Sequence, residues 1–463
     1  MVSRHDSDNE HPRTQKEIED LNKEIANRFL ETFAPDKDDP FHQRIPIVPS
    51  IGNNDVYPHN IMQAGPNRIL QHFSDIWSEF IPESQYHTFQ FGGYYTTEVV
   101  PGKISVVALN TLYFFNQNAA VDGCQREGEP GTEQMNWLEV ELESLRRRKM
   151  TVYLTGHVPP ARKSYSPTCY VRYTDIALRY QDVIVSHLFG HANIDHFFIL
   201  SQATVDDAAD LQSTALEEER TDNQNLGQSS FEVQKPKKHS HLIKEDDDEY
   251  DPFHALGLNS YLIELWEQYE DIPKKAKVND YAIAIVGPSV VPTYNPSLRV
   301  YSYQLAIEKG EPDEPELPGN EELGQDEQQG EVNGEDEDED EDDYVDLDAI
   351  DQEGKKKKKK KPKKPKKPKK PRRPANPAPA PPITFGFPLN YTQYWVNLTQ
   401  ANLEPEKQPE FLVEYRSRED YGLKDLSTAE WLALARRIVK SEKLKDQYLA
   451  WMVVLTGTEN EHF

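Results

Sequence analysis

The chain has 463 residues and a formal net charge of −28. Asp and Glu crowd residues 311 to 353, and Lys and Arg crowd 355 to 373, so the charge describes low-complexity sequence rather than the folded part. No apolar run approaches the roughly 20 residues of a membrane span, and Met1 to Arg13 is too polar for a signal peptide.

Thr14-Gln-Lys-Glu17 predicts a capping box opening an amphipathic helix over 14–33, with Ile18, Leu21, Ile25 and Phe29 at helical spacing. Ile45 to Ile51 predicts a buried strand ending in Gly52, Asn53, Asn54 and Asp55, a cluster that is also good turn chemistry. A second helix is expected over 67–80, strands over 89–95 and 104–109, and a third helix over 134–148 with Trp137, Leu138, Val140, Leu142 and Leu145 mostly inward. A short strand over 151–154 runs into Gly156-His157. A helix over 170–185 precedes Gly190-His191-Ala192-Asn193, and a strand resumes over 197–200. This alternation of strand and helix argues a layered α/β sandwich.

Beyond it, residues 204–250 are polar and charged and predict an exposed insertion. Residues 261–269 suit a short helix, and 281–291 and 298–303 suit strands closing a domain over 1–308. Residues 309–382, acidic and then Lys- and Pro-rich, predict disorder. Order should return over 383–463, with a capping box at Ser427 to Glu430, and this end should pack back on the main domain.

Cys124 and Cys169 are the two cysteines, either buried free thiols or one disulfide. A bridge would close a loop of about 45 residues, worth on the order of 4 kcal/mol; the pair is carried forward as a candidate disulfide. Sequons at Asn390 and Asn397 suit a lumenal or secreted protein and disfavour a nuclear reading of the lysine run, so no nucleic-acid partner is expected. Glycan acceptors without a targeting segment conflict, and a missing N-terminus would resolve the conflict.

Three segments share one grammar: an apolar run, a glycine, then an amide or imidazole, at Gly52-Asn53, Gly156-His157 and Gly190-His191-Ala192-Asn193. Glycine permits a sharp turn there, and both side chains are competent ligands for a transition metal. A lone buried histidine is more often a hydrogen-bonded core residue; three such ends in series weigh against that. Their order resembles the calcineurin-like metallophosphoesterases, and Gly156-His-Val-Pro-Pro160 with Asn193-Ile-Asp-His-Phe197 is most similar to the acid-sphingomyelinase-like branch. Within that branch, Gly52-Asn-Asn-Asp-Val-Tyr-Pro-His-Asn60 resembles fungal vacuolar enzymes acting on inorganic polyphosphate.

The resemblance implies a four-layer sandwich of two mixed sheets flanked by helices. It also implies two divalent ions (Mn, Mg, Co or Zn), with Asn53, His157 and His191 on one metal and Asn193 on the other. His5 falls at the branch's phosphate-contacting histidine. Asn54 stands where the family usually carries a catalytic histidine, and an amide cannot act as a general acid. The expected reaction is cleavage of internal phosphoanhydride bonds of polyphosphate in the vacuolar lumen. A sphingomyelinase-like phosphodiesterase and a non-catalytic polyanion-binding remnant are the alternatives. Counting back from His5 puts the family's bridging aspartate at Met1, and Asp-x-His is absent. The sequence thus predicts a chain short of its first strand, of ligands to one metal and of a membrane anchor expected only at full length, and so poor in metal binding and impaired in activity. Arg162 and Lys163 are placed to meet a phosphate chain. Arg172 and the cluster from Arg146 to Lys149 could extend that surface. The lysine run could hold a polyanion by counterion release or serve as a solvated linker.

Overall fold

The computed structural model describes residues 14–33, 45–208, 256–291, 294–305, 344–349, 378 and 383–456. Helix α1 (Gln15–Thr32) opens on the expected capping box: the Thr14 hydroxyl accepts from the Glu17 N–H, and the Glu17 carboxylate accepts from the Thr14 N–H at 2.7 Å. Ile18, Asn22 and Ala26 make its buried face. Helix α2 (Arg68–Ile76) is capped by Asn67, whose side chain accepts from the Leu70 N–H at 3.0 Å. Helix α3 (Tyr86–Gly92) follows.

The main sheet begins with β1 (Tyr95–Val100) and β2 (Ile104–Ala108). Helix α4 (Pro130–Arg147) leads to β3 (Thr151–Thr155), and α5 (Pro167–Arg179) leads to β4 (Ile184–Phe189). Strand β5 (His196–Ser201), helix α6 (Leu256–Glu270), β6 (Lys275–Lys277) and β7 (Tyr281–Val286) complete this part. The order is β1-β2-β3-β4-β7-β5; β2, β3, β4 and β7 are parallel, and the edge strands β1 and β5 are antiparallel to their neighbours. Both faces of the parallel strands are covered, so these strands read as nearly continuous apolar runs: Ala282 to Val286 are all buried.

Strand β8 (Ser297–Tyr303) leaves this sheet. With β10 (Pro388–Trp395) at the centre and β11 (Leu412–Arg416) beyond, it forms a second, antiparallel sheet. That pairing stitches residues 388–416 to the body of the protein. Helices α7 (Leu398–Leu403), α8 (Thr428–Lys440) and α9 (Glu442–Met452) follow, and Trp431, Leu434 and Ile438 of α8 join the shared core. Among the described residues no helix is long and apolar enough to cross a membrane.

Several expectations are corrected. Residues 45–52 are buried at their end but not a strand, because Pro46 and Pro49 bring no N–H to a ladder. Residues 86–92 are helical, and the strand starts only at Tyr95; Gly93, at φ 73°, caps the helix in the left-handed region. The helix expected over 170–185 stops at Arg179, and β4 takes over at Ile184. Val140 is 66% exposed rather than inward. Ser427 makes no side-chain cap bond. The second sheet is antiparallel rather than mixed. Within the tract expected to be disordered, Tyr344–Asp346 forms β9, antiparallel to β6. Leu347 is buried there, and Asp348 pairs with Arg436 at 3.1 Å and Lys440 at 2.5 Å. His5, the lysine run and most of the 204–250 insertion lie outside the described residues.

Candidate functional site

Strands β3 and β4 are parallel neighbours, so their carboxyl ends open on the same edge of the sheet. In α/β sheets that edge is where ligands bind. Here β3 ends in Gly156-His157 and β4 in Gly190-His191. A Cβ on Gly156 would lie 2.5 Å from the Thr111 side chain, so glycine lets the chain pass this close to Thr111. The Thr111 hydroxyl accepts from the N–H groups of His157 and Val158 at 3.1 and 2.7 Å, and the Gly190 N–H donates to the His157 carbonyl at 3.0 Å. The two histidine loops are thereby fixed to each other.

The third segment arrives from outside the sheet. Gly52 to Asp55 forms one tight turn, in which the Asp55 carboxylate accepts from the Gly52 N–H at 2.8 Å and from the Asn22 amide at 3.2 Å. Asp55, 1% exposed, is therefore committed to building the turn and to docking α1. The turn presents Asn53. Its Oδ1 lies 2.7 Å from Nε2 of His157 and 3.1 Å from Nδ1 of His191, and those two nitrogens are 3.2 Å apart.

Two residues to which the sequence assigned no role set the amide's direction. Asn53 Nδ2 donates to Asn60 Oδ1 at 2.9 Å and faces His59 Nε2 at 2.8 Å. With the Asn60 nitrogen turned to Gln117, Asn60 Oδ1 accepts from the Asn53 nitrogen, and the Asn53 oxygen faces the imidazoles. Asn60 in turn donates to Gln117 at 3.3 Å. Nothing in the spacing of Asn53, His59 and Asn60 marks this, because a turn rather than a helix or strand brings them together.

One oxygen and two nitrogens thus form a triangle with edges of 2.7, 3.1 and 3.2 Å. Adjacent donors on a metal with bonds of about 2.0–2.1 Å lie about 2.9–3.4 Å apart, so the triangle is close to the size one cation needs. Among the described residues no three His, Cys, Asp or Glu side chains gather at one point; the third donor here is an amide. His191 and Asn193 take left-handed φ values of 72° and 59°. Asn54 is 8% exposed beside Asn53.

Other expected residues fall at varied places. Arg162 and Lys163 are exposed, and their backbone N–H groups donate to the two oxygens of Glu264 at 2.7 and 3.2 Å. Burial raises the Glu264 pKa against the pull of those donors. One buried carboxylate thus pins the loop; the Arg162 guanidinium reaches Thr204 at 3.4 Å, and Lys163 is exposed. Arg146 and Arg148 do not extend this surface: Arg146 pairs with Asp182 and Arg148 with Glu98. Arg172 is engaged by Asn136 and Glu139. A disulfide joins Cys124 and Cys169. Asn390 lies in β10, and Asn397 caps α7. His187 and His196 serve as core residues, since burial lowers each pKa to about 3 and tyrosine hydroxyls of Tyr173 and Tyr261 meet them at 2.7 Å.

Two imidazoles at the carboxyl ends of parallel strands, met by an amide from an adjoining turn, make a donor cluster at the ligand-binding edge of an α/β sheet. The chain is 41% identical to an endopolyphosphatase of Cryptococcus neoformans, over 71% of this chain and 46% of that protein. It is 35% identical to the endopolyphosphatase of Schizosaccharomyces pombe, over 96% and 70%, and 30% identical to that of Saccharomyces cerevisiae, over 99% and 74%. The chain therefore belongs to the endopolyphosphatase family. It spans from about half to about three-quarters of the length of these relatives. No family model matches it.

Proposed function

We propose that this chain hydrolyses internal phosphoanhydride bonds of inorganic polyphosphate, using divalent cations held at the carboxyl edge of the main sheet. The observation that carries this reading is the convergence of Asn53, His157 and His191 on one point, in a chain whose relatives are named for that activity. These three residues would hold one cation, and Asn193 would contribute to a second. Two imidazole nitrogens beside one amide oxygen suit Mn, Co or Zn better than Mg, which prefers oxygen ligands. A bound cation supplies an activated water and neutralises charge on the phosphate oxygens.

The chain's own residues do the rest. Asn60 and His59 keep the Asn53 oxygen facing the imidazoles. Thr111 and Gly190 lock the two histidine loops in register. Arg162 and Lys163, on a backbone anchored by Glu264, offer cations to the phosphates flanking the scissile bond. His5 would add a phosphate contact, and Asn54 would line the site without acting as a general acid. A phosphoanhydride has a good leaving group and so depends less on protonation, which favours polyphosphate over a diester at a site with Asn54.

The finer architecture proposed is the four-layer metallophosphoesterase sandwich over 1–308, with 383–463 as an integral part of it. The proposed location is the vacuolar lumen, which suits the disulfide and would allow glycans at Asn390 and Asn397. The test is gel-resolved cleavage of long-chain polyphosphate beside a chromogenic phosphodiester, with added Mn and with chelator. Shortening of the polyphosphate to intermediate lengths that chelator abolishes is expected. Release of single phosphates only, or faster turnover of the diester, would overturn the reading.

A further inference from the structure

The loop that carries His191 ends in a buried ion pair with the second sheet. Asp195, four residues after His191, sits with its carboxylate between the guanidinium of Arg299 in β8 and the hydroxyl of Tyr415 in β11. The side chains of Arg299 and Asp195 are 7% and 8% exposed. Arg299 also donates to Gln393 of β10 at 2.8 Å and to Tyr415 at 2.9 Å, and it lies 4.0 Å over the Tyr391 ring. The Asp195 N–H donates to the Met452 carbonyl at the end of α9, at 2.9 Å. Every partner of Asp195 named here comes from β8 or from the segment 383–456.

Upstream, the loop starts at Gly190, tied to the His157 carbonyl. Between these two anchors, His191 and Asn193 both hold left-handed φ values. Such a conformation is unfavourable for a non-glycine residue and persists only where the surroundings over-determine it. A buried ion pair is a poor source of net stability, but losing one partner leaves a charge that cannot be hydrated. It therefore enforces one geometry.

We infer that Asp195, gripped by Arg299 and Tyr415, is a positioning residue that holds His191 and Asn193 at the site, and that the C-terminal segment 383–456 is thereby a working part of the site rather than an appendage. The inference rests on the reading of Asn53, His157 and His191 as cation ligands.

The experiment uses the full chain with Tyr415→Phe, which removes the hydroxyl shared by Asp195, Arg299 and Tyr391 and leaves both charges in place, and Arg299→Lys, which keeps charge but loses the fork. Amide exchange of 190–195 is measured against 151–155 and 184–189. Affinity for Co²⁺ is measured by its absorption spectrum, and the urea midpoint is recorded. Exchange in 190–195 should rise at least about ten-fold and Co²⁺ affinity should fall about ten-fold, the range seen when outer partners of metal ligands are removed. The strand segments should keep their protection, and the Tyr415→Phe midpoint should fall without loss of the cooperative transition. Unchanged exchange and unchanged affinity in a folded variant would overturn the inference. If Arg299→Lys unfolds, Tyr415→Phe decides. If the parent binds no Co²⁺, the metal reading fails, and the exchange arm still decides whether Asp195 holds the loop.

Discussion

The Asn53 amide oxygen lies 2.7 Å from Nε2 of His157, although 104 residues separate them. That contact depends on which way the amide faces, and Asn60 and His59 decide it from behind. Asn60→Ala and His59→Ala should therefore lower Mn²⁺ affinity about ten-fold without touching a ligand, and Asn53→Ala should lower it further. Calorimetric titration with Mn²⁺ checks this. Equal affinity in Asn60→Ala and the parent would show that the amide needs no such hold.

Asn54 carries the second prediction. It is buried beside Asn53 and has no proton to give a leaving group. A general acid contributes on the order of 10²–10⁴-fold to a step that needs one, and a diester needs it more than an anhydride does. Asn54→His should raise diester turnover at least about ten-fold relative to polyphosphate turnover. A ratio of the two rates that does not move would remove the argument from leaving groups.

How much of this could be read in the sequence depends on which physical signal was used. Gly156-His157 and Gly190-His191 were legible because a glycine and a polar side chain interrupt an apolar run at the end of a parallel strand. Asn53 was found by the same pattern, but its segment is no strand: apolarity reports burial, and Pro46 and Pro49 decide conformation. Phe89 to Tyr95 failed for a related reason, since a short aromatic run has no period and Gly93 alone marks where the helix stops. The roles of His59 and Asn60 depend on a turn, and the Arg299–Asp195 pair on contact between residues 104 positions apart. Neither leaves a local pattern.

The disulfide between Cys124 and Cys169 closes 45 residues that include β3, His157 and Arg162. Loop-closure entropy for that length is about 4 kcal/mol, with the mechanism model-dependent. Cys124→Ala with Cys169→Ala should lower unfolding free energy by about that amount, as read from urea titration. A loss below about 1 kcal/mol would mean that the reduced, unfolded chain is already compact in this region.

The outer face of the second sheet gives a prediction about modification. Leu298 and Val300 of β8 and Val413 of β11 are 38, 54 and 39% exposed. Leu298 pairs with Tyr394, and Asn390 and Thr392 alternate onto that same face of the central strand. A glycan on Asn390 would shield this apolar surface. In a glycosylating host, Asn390→Gln should increase self-association measured by light scattering, whereas Asn397→Gln, whose sequon lies beyond β10 at the cap of α7, should not. The same scattering from both variants would separate the sequon from the exposed face.

Glu414 sets a pH dependence of stability. Both of its carboxyl oxygens are buried without a hydrogen-bond partner. Its pKa is raised from 4.5 to about 9, first by burial and then by the Asp195 charge, against the pull of Arg299. The folded protein therefore keeps this proton over a range where the unfolded chain has lost it. Between about pH 4.5 and 9 the native state binds more protons, so the Glu414 contribution to stability is greatest below pH 4.5 and falls as pH rises through that window. Glu414→Gln fixes the neutral form in nearly the same shape. The parent should lose melting temperature between pH 5 and 8 relative to Glu414→Gln, with the two converging near pH 4. Parallel profiles for the two proteins across that range would show that Glu414 is hydrated in the native state, and that the ion pair of Asp195 with Arg299 is felt less strongly there than its burial implies.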